Sequence, residues 1–160
     1  MNYQYYSDLE YGRILDNIVV ACVDVVIKYG DFVLLERRNK NPLKNKLWIL
    51  GGRMAKGEPF EIAAKHALER EIGISLSESR FKKGSFYNLI WPVRNEDPVN
   101  NGCHHLLIAM YIEIDDTEYK LINDTVLNKP KDRNLEWLEI SSLNKLKDVP
   151  KKLNEIIHCT

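Results

Sequence analysis

The sequence predicts a single α/β domain, a sandwich in which strands surround one well-defined central helix. Three observations carry this. Ile18 to Lys28 is rich in Val and Ile and is followed by a turn and a second apolar run. Pro59 to Ile72 has no internal Gly or Pro. The chain has 160 residues, which suits one domain covering residues 1–160.

The elements follow in order. Residues 1–13 form a Tyr-rich N-terminal arm holding Tyr3, Tyr5, Tyr6 and Tyr11. Its rings suit either docking on the protein's own core or a second subunit, or stacking on a heterocyclic base. Ile18 to Lys28 reads as a strand. Tyr29-Gly30-Asp31 reads as a hairpin turn, and Phe32 to Arg38 as the partner strand. Asn39 to Lys46 is a polar loop, and Leu47 to Leu50 is a short strand that ends at Gly51-Gly52. The helix spans Pro59 to Ile72, with Pro59 in its first turn and Gly73 just past its end. Phe86 to Val93 and His105 to Ile114 read as strands around a polar loop, Arg94 to Gly102. Leu135 to Leu138 reads as a short strand. Ser141 to Leu146 and Val149 to Ile157 read as helical.

Composition excludes several classes. Lys plus Arg number 23 and Asp plus Glu number 23, so formal net charge is zero. Bulk electrostatic gripping of nucleic acid or an anionic membrane surface is not expected. Cys22, Cys103 and Cys159 are odd in number, widely spaced and without a CxxC pair, so neither a disulfide framework nor a structural zinc site is expected. Ile18 to Ile27 is interrupted by Asp24 and reaches about half a bilayer span. The N-terminus lacks a basic segment followed by an apolar one, so a cytoplasmic protein is expected.

The chemistry concentrates between Gly52 and Ile74. A strand enters a Gly-Gly turn, a loop crosses to Glu58, and a helix ends in Glu71-Ile72-Gly73. This resembles the Nudix box, G-x5-E-x7-R-E-U-x-E-E-x-G-U. Gly52, Glu58, Leu68, Glu71, Gly73 and Ile74 fall in register, whereas His66, Ala67 and Arg70 replace the motif's Arg, Glu and first paired Glu. Residues at i, i+3 and i+4 share a helix face. Of the positions Ala67, Arg70 and Glu71, only Glu71 keeps a carboxylate, so a one-metal site is expected.

That pattern is similar to the GDP-mannose mannosyl hydrolase branch of Nudix proteins. Ala21 to Ile27 with Asp24, Val33 to Pro42 with Arg38, and Trp48 to Arg53 resemble further segments of that branch, as do Phe86-Tyr87 and His105. The resemblance covers about residues 8 to 140. It implies a Nudix α/β/α sandwich with a mixed sheet, a homodimer and a GDP-sugar substrate. One Mg²⁺ or Mn²⁺ would be held by Gly51, Glu71 and Glu58. Arg38 and Arg53 would contact the diphosphate, as an Arg fork suits phosphate. Tyr11, with Tyr5 and Tyr6, would hold the guanine, Asp24 would face the substrate, and His105 would touch the sugar. The branch has a Gln-His pair before the equivalent of Trp137; here Lys131 and Asp132 stand nearest, and Asp132 is the candidate general base.

Two further rival functions stay open. One is a Nudix pyrophosphatase attacking phosphorus in another nucleoside diphosphate compound. The other is a nucleotide-sugar binding protein that has lost turnover. Neighbouring charges are also expected to pair: His66 with Glu69 on the helix surface or with a nearby phosphate, and Asp24 with Arg38.

Overall fold

The computed structural model describes residues 6–127 and 134–159, with the side chains of 126 and 127 left aside. Among these residues a seven-stranded mixed sheet lies between two helical layers. Strands β1 (Val20–Tyr29), β2 (Phe32–Arg37), β3 (Leu47–Trp48), β4 (Leu50–Arg53), β5 (Lys82–Trp91), β6 (Cys103–Glu113) and β7 (Asn134–Glu139) form it. The order β3-β2-β1-β6-β5 runs across the sheet, with β4 also paired to β1 and β7 to β2. The pair β1–β6 is parallel, with Val20 opposite His105 and Asp24 opposite Ala109. The β1–β2 hairpin closes at the expected turn, with Tyr29 opposite Phe32 and Gly30 at φ 54°.

Alternation along β1 sends Val23, Val25 and Ile27 to one face, and Cys22 and Val26 to the other. Helix α2 (Phe60–Ile72) covers the first face through Ala63, Ala64, Leu68 and Ile72. It begins after Pro59 and ends at Gly73, whose φ of 70° is the left-handed conformation that closes a helix. Helix α3 (Asp116–Ile122) adds Ile122 to this face. Helix α4 (Lys151–His158) covers the second face with Leu153, Ile156 and Ile157.

Some boundaries differ from expectation. The expected Leu47–Leu50 strand divides at Ile49: its first half pairs with β2 and its continuation with β1. The N-terminal arm contains helix α1 (Asp8–Leu15), started by a capping box in which Ser7 and Glu10 satisfy each other's backbone N–H groups. A second capping box, Asp115 with Glu118, starts α3 where no element was expected. The segment expected as helix at 141–146 is a 3-10 stretch, Ile140–Lys145, and the C-terminal helix starts at Lys151 after Pro150. Among the described residues no helix is long and apolar enough to cross a membrane.

Candidate active site

The split after Trp48 builds the site. As the chain leaves β2 for β1 it sets Gly51 opposite Asp24. A Cβ on Gly51 would collide with Asp24 Oδ1 and the Val23 carbonyl, so only glycine fits there. Trp48 Nε1 donates to Asp24 Oδ2 at 2.8 Å. Asp24 is buried, which pushes its carboxyl up to about 6. The Trp48 hydrogen bond, the Arg38 charge and the Gly52 backbone pull it back only in part. Arg38 therefore acts on Asp24 through its field, while the direct partners are the Trp48 indole and the Gly52 backbone, neither expected from the sequence.

A cavity of about 930 Å³ opens beside this point. Tyr6, Tyr11, Arg38, Gly51, Arg53 and Glu71 all line it, although they come from the segment before α1, α1, the loop after β2, β4 and α2. A smaller pocket of about 150 Å³ adjoins it through Tyr11, Arg38, Gly51, Gly52 and Arg53, and Asp24, Trp48, Trp91 and His105 line this inner space. Burial, then the charges of His104 and Arg38, lower the His105 pKa, favouring neutral imidazole. Its neighbour His104 points elsewhere and meets Asn88.

Arg53 lies over the Tyr11 ring, 4.8 Å from its centroid. This cation–π contact seats the helix α1 aromatic on the same cation that faces the cavity. Burial raises the Tyr11 pKa, with Arg53 opposing. Arg38 sits 3.9 Å from Glu36, a buried acid that also lines the large cavity. Glu36 escaped the sequence reading because it ends the apolar run Val33-Leu34-Leu35; its one signal is an acid inside a strand whose neighbours are buried.

The acidic residues divide into two groups. Glu71 lines the cavity with Arg70 Nε 3.2 Å from its Oε1. Arg70, which replaces the first of the motif's paired Glu, is thus in direct contact with Glu71. Glu58 lines neither cavity. Its Oε2 accepts from the Ala55 N–H at 3.1 Å, and its Oε1 meets His66 Nδ1 at 2.5 Å. Both oxygens thus brace the loop before α2. His66 correspondingly pairs with Glu58 rather than with the expected Glu69, because Glu58 is nearby across the helix entry.

Tyr5 and Asp132 lie outside the described residues. Among the described residues no cluster of three or more His, Cys, Asp or Glu could hold a metal. The donors present are all oxygens: the Gly51 carbonyl and the Glu71 carboxylate, with Glu36 close by in the cavity. This set fits Mg²⁺, which binds one or two carboxylates and completes its shell with water and substrate phosphate.

Comparisons with known proteins agree with this architecture. The family model for the NUDIX domain matches residues 17–158. The low-salt glycan biosynthesis protein Agl8 of Haloferax volcanii is 26% identical over 115 residues, 71% of each chain. The crystal structure of a MutT NUDIX hydrolase from Burkholderia pseudomallei superposes with a TM-score of 0.66 at 19% identity, covering 90% of this chain and 99% of that one. The C. elegans Ap4A hydrolase superposes with a TM-score of 0.54 at 16% identity, covering 88% and 94%. The two structural likenesses speak to the fold. With a family match over nearly the whole described chain, and a glycine-lined cavity at the start of its box, the chain belongs to the Nudix family.

Proposed function

We propose that this protein hydrolyses a GDP-linked hexose, such as GDP-mannose, to GDP and the free sugar. The observation that carries the reading is the joining of two spaces. The large cavity presents Arg38, Arg53 and Glu71, suited to a diphosphate. The inner pocket presents Asp24 and His105, polar groups suited to sugar hydroxyls. Similarity to a protein named for glycan biosynthesis supports a sugar-linked substrate.

In this reading Tyr11, with Tyr5 and Tyr6, holds the guanine, and the guanidinium groups of Arg38 and Arg53 orient the diphosphate. Water attacks the anomeric carbon, the bond from that carbon to the diphosphate oxygen breaks, and GDP leaves with the electron pair. Mg²⁺ held by Gly51 and Glu71 would neutralise the leaving diphosphate. Asp132 is proposed to take the proton from water, with Asp24 in the inner pocket as the alternative carboxylate. A homodimer, a cytoplasmic setting and independence from nucleic acid and membranes remain part of the proposal.

Incubation with GDP-mannose and Mg²⁺, followed by product identification, tests it. GDP plus mannose is expected. GMP plus mannose 1-phosphate would replace this reading with attack at phosphorus. Binding without turnover would favour a nucleotide-sugar binding protein, the reading that the Arg70–Glu71 contact favours.

A further inference from the structure

The geometry points to the loop at 94–102 as a bracket that holds two walls of the large cavity at a set spacing, with Arg94 and Asn95 as its positioning residues. One wall is α1, which carries Tyr11. The other is the loop after β2, where Arg38, Asn39 and Lys40 line the cavity. The two are far apart in sequence, and segment 94–102 bonds to both.

Arg94 serves the α1 side. It is only 1% exposed, which is unusual for a guanidinium and costly unless its donors are used. Nη1 donates to Asp16 Oδ1 at 2.7 Å and to the Gly102 carbonyl at 3.1 Å. Nε donates to the Glu96 carbonyl at 3.0 Å, and Nη2 to the Asp97 carbonyl at 3.3 Å. Asp16 is the C-cap residue of α1 and also accepts from Asn101 Nδ2 at 3.0 Å. The helix seats closely: a Cβ on Gly12 would collide with the Asp97 carbonyl. The fork of Arg94 thus shapes the loop around itself and fastens α1 to it.

Asn95 serves the other side. The Asn41 N–H donates to Asn95 Oδ1 at 2.9 Å, and Asn95 Nδ2 donates to the Asn41 carbonyl at 2.9 Å. This reciprocal pair ties the loop to the segment just beyond Lys40. Glu96, the next residue along the loop, itself lines the cavity. Adjacent residues of one loop therefore fasten both walls, so the spacing of Tyr11 and Arg38 depends on a segment outside the Nudix box.

The inference rests on the reading that this cavity takes a nucleoside diphosphate, and its test separates the two. Asp16→Ala releases the α1 attachment and Asn95→Ala the other, each leaving the buried Arg94 in place. Hydrogen exchange of the ligand-free proteins is compared with wild type. Exchange of residues 8–16 is expected to quicken in Asp16→Ala, and that of residues 38–46 in Asn95→Ala, each roughly tenfold, with β1 and β6 unchanged. With GDP-mannose and Mg²⁺, KM is expected to rise roughly tenfold in both while kcat stays within about twofold. Asp16→Asn, which retains an acceptor oxygen, is expected to recover most of the α1 protection. Unchanged exchange in the two walls, or loosened walls with an unchanged KM, overturns the bracket. If wild type neither binds nor turns over a nucleoside diphosphate, the substrate reading falls, and the ligand-free exchange still decides the bracket.

Discussion

Trp48 Nε1 donates to Asp24 Oδ2 at 2.8 Å, which ties β3 to β1 at the residue that pairs with Gly51 of β4. A buried carboxylate is thereby kept in place by a neutral donor, with Arg38 contributing through its field. The site's floor thus combines a costly charge with a rigid anchor.

That cost has a measurable sign. The folded Asp24 carboxyl sits at about 6 against an ordinary 3.8. A raised carboxyl contributes stability that is present below the unfolded value and is lost as pH rises through the folded one. In metal-free protein, Asp24→Asn should therefore gain on wild type by on the order of 3 kcal/mol between about pH 4 and pH 7. Denaturant midpoints across that range check this. A stability gap independent of pH would show that Asp24 is not the titrating group.

Gly51 and Gly52, neighbours in β4, should behave differently. Alanine at Gly51 meets Asp24 and backbone, neither of which can yield. At Gly52 the nearest atom is an Arg70 guanidinium nitrogen at 3.1 Å, the end of a flexible side chain. Gly51→Ala should lose about 2–4 kcal/mol or fail to fold, whereas Gly52→Ala should lose less than about 1 kcal/mol. Thermal melting of the pair measures the contrast.

Glu58 offers a choice between brace and ligand. Its side chain is 1% exposed and both oxygens are engaged. Glu58→Ala should cost about 1–3 kcal/mol of stability through the unpaired Ala55 N–H and the lost His66 contact. Mn²⁺ affinity in the presence of GDP, followed by electron paramagnetic resonance, should stay at the wild-type value. A large fall in that affinity would return Glu58 to the metal.

Arg70 and Glu71 make opposite predictions. Removing the guanidinium with Arg70→Gln takes a cation 3.2 Å from the proposed donor, so Mn²⁺ should bind severalfold more tightly at low salt, and less so at high salt. Glu71→Gln should abolish metal-dependent turnover. Unchanged activity in Glu71→Gln would refute the metal site as drawn.

Much of this was legible in the sequence where the signal is local. The Tyr29-Gly30-Asp31 turn and the helix between Pro59 and Gly73 follow from backbone chemistry carried by single residues. The resemblance also picked out Tyr11, Arg38, Gly51, Arg53 and Glu71, which line one cavity. Two helices were missed although Ser7 with Glu10, and Asp115 with Glu118, carry capping boxes. The Glu58–His66 pair spans eight positions and obeys no helix-spacing rule. Arg94 looked like one charge in a polar loop, because burial of a guanidinium is settled by carbonyls that any sequence supplies.

The parallel pairing of β1 with β6 has a consequence for how the chain reaches this state. Val20 and His105 stand side by side although most of the chain separates them. During synthesis β1 can first pair with β2 and β4, both encoded nearby, while its other edge waits for β6 to emerge. Closing so long a loop is slow relative to local pairing. The inner pocket, which needs Asp24 from β1 and His105 from β6, therefore waits for β6, whereas the residues that line the large cavity all precede residue 97.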